Sequence, residues 1–142
     1  MRTKQVRPDP LEFEFELYIS REFDKTRGQE FIQFDFRTVK VFENFTYKIN
    51  VTPNHDLDNR NLVFDIEGLS APVISLSQSG TAQYVYKLFD FKQTEYSLYL
   101  YKQGTEKNLY KIKVLKREVK LTRQPKDKFI KVYLAFEYFN LI

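Results

Sequence analysis

The sequence predicts an all-β protein, a single antiparallel β-sandwich of eight or nine strands. Three observations carry this expectation. Leu11-Glu12-Phe13-Glu14-Phe15-Glu16-Leu17 alternates apolar and charged residues, and the same grammar recurs down the 142-residue chain. Successive strand residues point to opposite faces, so the alternation describes a strand with one dry face and one wet face. The aromatics are 14 Phe and 10 Tyr with no Trp, and such rings suit pleated, half-buried surfaces. The four glycines and five prolines fall between the apolar runs, where turn chemistry wants them.

Taken in order, the expected strands lie near 11–19, 30–37, 39–52, 61–67, 72–77, 83–91, 95–102, 109–121 and 129–139. Within 30–37, Ile32, Phe34 and Phe36 share one face while Gln33, Asp35 and Arg37 share the other. From Val39 the apolar parity changes to Val39, Val41, Phe45, Tyr47, Ile49 and Val51, which predicts a bulge, bend or tight connection near Arg37-Thr38. The long third segment is read as one strand or as two around Glu43-Asn44. A second parity slip separates Tyr110, Ile112 and Val114 from Val119 and Leu121. The last strand alternates Ile130, Val132, Leu134, Phe136 and Tyr138 against Lys131, Tyr133, Ala135 and Glu137. The expected core is Phe13, Phe15, Leu17, Ile32, Phe34, Phe36, Tyr47, Ile49, Leu62, Phe64, Ile66, Leu98, Leu100, Ile112, Val114, Val132, Leu134 and Phe136.

Residues 1–10 are polar and basic, and Pro8-Asp9-Pro10 favours an extended N-terminal arm ahead of a single domain over 11–142. Such an arm has little to bury alone and fits against another subunit. The chain lacks cysteine, which removes disulfides, thiolate metal sites and cysteine nucleophiles. No apolar run reaches the roughly 20 residues of a membrane-spanning helix, and the basic start lacks the apolar core of an export signal. The expected location is therefore intracellular or within a virion. Asn44-Phe45-Thr46 and Asn50-Val51-Thr52 match the glycosylation acceptor pattern but read as ordinary strand residues.

Residues 83–114 read strand, corner, strand, hairpin, strand. Tyr96 in Glu95-Tyr96-Ser97-Leu98-Tyr99-Leu100 opens the second strand, and Gly104 falls in the loop before Tyr110-Lys111-Ile112-Lys113-Val114. This stretch resembles the second half of an immunoglobulin-like or fibronectin type III-like sandwich. The resemblance implies that Tyr96 hydrogen-bonds back across the preceding corner. It also implies an Ig-like plan overall, with 129–139 as an added strand and without that family's disulfide or core tryptophan. It implies no activity.

His55 is the only histidine, in Asn54-His55-Asp56-Leu57-Asp58-Asn59-Arg60. A general base or metal ligand is one reading; a polar loop after Pro53 is the other and is preferred. Asp56, Asp58 and Glu67 have the spacing of EF-hand positions 1, 3 and 12. Arg60 and Asn61 would then stand at positions 5 and 6, a cation and a non-glycine, so that motif is rejected. Glu12, Glu14 and Glu16 line one strand face at about 7 Å intervals. They read as a solvated face or an ion-pair ladder, with Lys111 and Lys113 as natural partners, and not as a glycosidase pair. With no phosphate loop, cofactor fingerprint or triad motif, the expectation is a non-enzyme without cofactor or metal.

Charge is uneven. Residues 102–131 hold eleven Lys or Arg against Glu106, Glu118 and Asp127, while residues 1–101 hold twelve against fifteen acids. The expected function is a non-catalytic structural subunit of a larger assembly, such as a capsid-decorating, neck or tail component of a virus or bacteriophage. Its partners are other protein subunits, among them copies of itself. The partner-binding residues are Arg2, Lys4 and Arg7 in the arm, then Lys111, Lys113, Lys116, Arg117, Lys120 and Arg123. A single-stranded nucleic-acid-binding module is the first alternative, because Tyr99, Tyr101 and Tyr133 oppose the core positions near Lys102, Lys111 and Lys113. An Ig-like carbohydrate-binding module is the second.

Overall fold

The computed structural model describes residues 14–42, 48–70 and 80–134. They form nine strands: β1 (Phe15–Asp24), β2 (Gln29–Phe42), β3 (Lys48–Pro53), β4 (Asn61–Ser70), β5 (Gly80–Leu88), β6 (Glu95–Lys102), β7 (Glu106–Val114), β8 (Val119–Arg123) and β9 (Ile130–Leu134). All nine belong to one sheet in the order β8-β7-β6-β4-β3-β5-β2-β1-β9.

The alternation read from sequence decides the faces. Phe15, Leu17 and Ile19 of β1, Leu62, Phe64 and Ile66 of β4, and Leu98 and Leu100 of β6 are all buried in one continuous core. Phe64 stands near its centre, with ring centroids 5.2 Å from Phe34, 5.0 Å from Phe36 and 5.3 Å from Tyr86. A single sheet whose dry faces all meet one core must curl, and its end strands then approach each other. β8 and β9 do so, leaving a sheet nearly closed into a barrel. Bulges help it bend. The β2–β5 register shifts between Arg37 and Val41, the β7–β8 register between Lys111 and Ile112. The β3–β4 register shifts after Asn50, opposite Gly68, whose φ of 154° suits glycine.

Several expectations change. The all-β class matches, but among the described residues the expected strand 109–121 is two strands, β7 and β8, and the arrangement is one mixed sheet and not a purely antiparallel sandwich. β1 pairs β9, β4 pairs β6 and β3 touches β5 in parallel. Alternation fixes which face a residue occupies and says nothing of neighbour direction. The parity change near Arg37-Thr38 is a bulge inside one long strand, so 39–42 belongs to β2. The slip after Val114 is a hairpin turn, closed by Leu115 N–H donating to the Glu118 carbonyl at 2.8 Å. The expected strand 72–77, the arm 1–10 and the core positions Phe13, Tyr47 and Phe136 lie outside the described residues.

Closure of the barrel rests on two interior side chains of β7. No backbone pairing joins β7 to β9 in the sheet order. Instead Asn108 acts as a short substitute strand. Its Oδ1 accepts from Phe129 N–H at 3.0 Å and Ile130 N–H at 3.3 Å, and its Nδ2 donates to the Asp127 carbonyl at 2.9 Å. The Tyr110 hydroxyl donates to the Ile130 carbonyl at 2.6 Å. Both residues are buried, Tyr110 fully, and burial raises the Tyr110 phenol well above its ordinary value. Phe129 and Ile130 are thereby held in the core at the start of β9.

Replacing Asn108 by Leu removes the side-chain acceptor of the buried Phe129 and Ile130 N–H groups, at about 1–3 kcal/mol each. Urea unfolding should show a clear drop in midpoint for Asn108→Leu, at constant slope, and a smaller one for Tyr110→Phe. Equal midpoints for wild type and Asn108→Leu would mean that the seam does not depend on this side chain.

Candidate functional site

The outward face of β7 and β8 carries four of the cations predicted from sequence, Lys111, Lys113, Lys120 and Arg123. Cross-strand register sets its rows. Lys113 lies between Glu95 of β6 and Lys120 of β8, and Lys111 between Ser97 and Arg123. Leu109 is opposite Tyr99, and Lys107 opposite Tyr101. Two rows thus set cation directly against cation, an arrangement that is unfavourable by itself and favours an anion laid across it. Glu95 lies at one side, accepting from the Thr122 hydroxyl at 3.0 Å, and Glu118 approaches Lys120 at 3.7 Å. Lys111 and Lys113 have no ion pair among the described residues.

Lys116 and Arg117 occupy the β7–β8 turn, exposed, and border a cleft with Arg21, Glu22, Phe23 and Glu30. Arg21 there is already engaged, with Glu30 at 2.7 Å and with the Leu115 carbonyl. The structure therefore brings Lys111, Lys113, Lys120 and Arg123 onto one face, with Lys116 and Arg117 at its end. Arg2, Lys4 and Arg7 lie outside the described residues. The proposed partners for Lys111 and Lys113 on the Glu12–Glu16 strand are not used. Glu14 pairs with Lys102, Glu16 hydrogen-bonds with Tyr18 and Tyr133, and Glu12 lies outside the described residues.

The tyrosines opposite the core divide into two groups. Tyr133 of β9 stacks on Tyr18 of β1 at 5.2 Å and 16°. Arg37 lies over the Tyr18 ring at 5.4 Å and Lys131 over the Tyr133 ring at 5.3 Å, so each ring is stacked by its neighbour and contacted by a cation. Burial, with the Glu16 charge beside it, pushes the Tyr18 phenol up to about 12. Tyr99 and Tyr101 sit instead on β6, half-exposed, within the cationic face. Tyr99 has outward Val63 and Leu109 at its two sides and Lys107 at 5.7 Å from its ring centre. Lys107 was not among the residues picked from sequence. Its signal is the alternation Lys107, Leu109, Lys111, Lys113 on the wet parity of β7.

The other candidate groups make local contacts. Asp56 caps its own loop through Asn59, and Glu67 accepts from the Thr52 hydroxyl. Among the described residues no three His, Asp or Glu gather as a metal site. The Tyr96 hydroxyl accepts from Lys92 N–H at 2.8 Å across the β5–β6 corner. No described helix is long and apolar enough to cross a membrane. Comparison with family models, with curated proteins and with solved structures finds no match.

His55 belongs to the fold. Its Nδ1 accepts from Val63 N–H at 2.9 Å, and its ring stands edge-on to Phe64 at 4.8 Å and Tyr86 at 5.2 Å. Nδ1 as acceptor places the proton on Nε2, which is buried without a partner among the described residues. Burial lowers its pKa below the ordinary 6.5. On acidification the unfolded chain therefore takes up a proton near pH 6.5 that the folded protein resists. Stability present above that pH is lost as pH falls toward the lowered folded value. Thermal unfolding should show the midpoint falling between about pH 7 and 5. His55→Gln should flatten that part of the curve; an identical slope in the variant would exclude His55 as its source.

Proposed function

We propose that this chain is a non-catalytic structural subunit of a larger assembly, such as a virus or bacteriophage particle, working by contact between its copies. The observation that carries the proposal is the β7–β8 ladder, where Lys113 faces Lys120 and Lys111 faces Arg123. A sheet face that sets like charges opposite each other is relieved when an acidic surface docks on it. The chain itself offers the complement, since residues 1–101 carry more acids than bases while 102–131 are strongly basic. Contact between unlike patches of identical subunits is head-to-tail, which builds rings or filaments. The interior is occupied by packed aromatic and aliphatic side chains, and the single histidine is engaged in the fold, so the outer surface is the working part. The Tyr96 corner supports an immunoglobulin-like kinship for the β5–β7 stretch.

Sedimentation velocity on the full chain tests this. Species heavier than the 17.2 kDa monomer should form at about 0.1 M salt. They should dissociate toward 1 M, as the screening length falls from about 10 Å to about 3 Å. Lys111→Glu, Lys113→Glu and Lys120→Glu together should leave a folded monomer throughout. A wild-type monomer at every salt and concentration, or unchanged assembly by the triple variant, would overturn the proposal.

A further inference from the structure

The cationic face does not stop at β7. Across the β6–β7 register it runs into two tyrosines on alternate outward positions of one strand, Tyr99 and Tyr101. Alternate residues of a strand are roughly 7 Å apart, so the two rings form consecutive steps along the face. Lys107 and Lys111 flank them on β7, four positions apart, roughly 13 Å. Arg123 extends the Lys111 row, and Lys120 and Lys113 extend the next. The anions on this surface are engaged locally: Asp65 accepts from Gly104 N–H at 3.3 Å and Glu95 from Thr122. Rings at strand spacing between cations are what a flexible, unpaired polyanion with stackable units requires. An acidic protein surface would use the cations but leave the paired rings without a role.

We infer that the outward face of β6–β8 binds single-stranded nucleic acid, with successive bases on Tyr99 and Tyr101 and the backbone phosphates on Lys107, Lys111 and Arg123. Base stacking on an aromatic ring is tolerant of sequence because every base has a π-face, so binding is expected without strong sequence preference. The Tyr18–Tyr133 pair is excluded from this role because its rings are stacked on each other. This inference goes beyond assembly and does not depend on it. Self-association is read by sedimentation without nucleic acid, and its failure leaves the present test intact.

The test is fluorescence anisotropy of a labelled single-stranded oligothymidylate, about 20 nucleotides long, titrated with the full chain across a salt series. Binding should weaken steeply with salt. Lys107→Ala with Lys111→Ala should reduce the log–log slope by about 1.4, at about 0.7 per phosphate contact on a single strand. Tyr99→Ala and Tyr101→Ala should each weaken binding at fixed salt by roughly five-fold or more with the slope unchanged. Tyr99→Phe should keep it. All four side chains are on the outer face, and thermal unfolding of each variant confirms that it is folded. Absence of binding at low salt would overturn the inference. So would tyrosine variants that bind as wild type while polyglutamate of equal charge displaces the oligonucleotide as well as unlabelled oligothymidylate does. That outcome would mark a face for acidic proteins.

Discussion

Everything else in this structure depends on how the sheet ends meet. Backbone pairing makes eight strand junctions and leaves the end strands β8 and β9 unpaired with each other; β9 is tied instead to β7 by side chains. A sheet edge that ends without a partner leaves backbone donors and acceptors in an apolar interior, where each costs free energy. Here the Asn108 amide supplies one acceptor and one donor to residues 127–130, and Tyr110 supplies a further donor. A side-chain amide carries the same C=O and N–H pair as a peptide unit, which is why asparagine fits the gap.

The nearly closed sheet sorts the polar residues into two kinds of work. Groups near the interior serve the fold: His55 fastens the Asn54–Arg60 loop to β4, and Tyr96 fastens the β5–β6 corner. Groups on the outside separate by register. On β2, β1 and β9, Arg37, Tyr18, Tyr133 and Lys131 satisfy one another in a stack. On β7 and β8 two rows set cation against cation, Lys113 beside Lys120 and Lys111 beside Arg123, with Glu118 approaching Lys120.

Much of this was legible in the sequence, for a definite reason. Period-two alternation assigns faces, so Leu17, Phe34, Phe64, Leu98 and Ile112 could be placed in the core before any pairing was known. The β6 limits, Glu95 to Lys102, follow from polar boundaries at both ends. Direction was not legible, because a parallel neighbour and an antiparallel one impose the same alternation; β4 beside β6 is the clearest instance. Nor was the seam. Asn108 reads as a polar residue at a strand start, and nothing local marks it as the acceptor for residues twenty positions on. At the site, the basic composition of the last third was plain, whereas the opposition of Lys113 to Lys120 is a property of the turn between them.

The parallel pair of β1 and β9 couples the two ends of the described chain, Phe15 meeting Ile130. Contacts so distant in sequence form late, since a long loop must close before they yield any stabilisation. A chain made from its N-terminus therefore carries β1 with one finished edge, on β2, and one bare edge until β9 has left the ribosome. The Asn108 amide is already in place on β7 by then. On this order of synthesis the latch residue is made before the strand it catches.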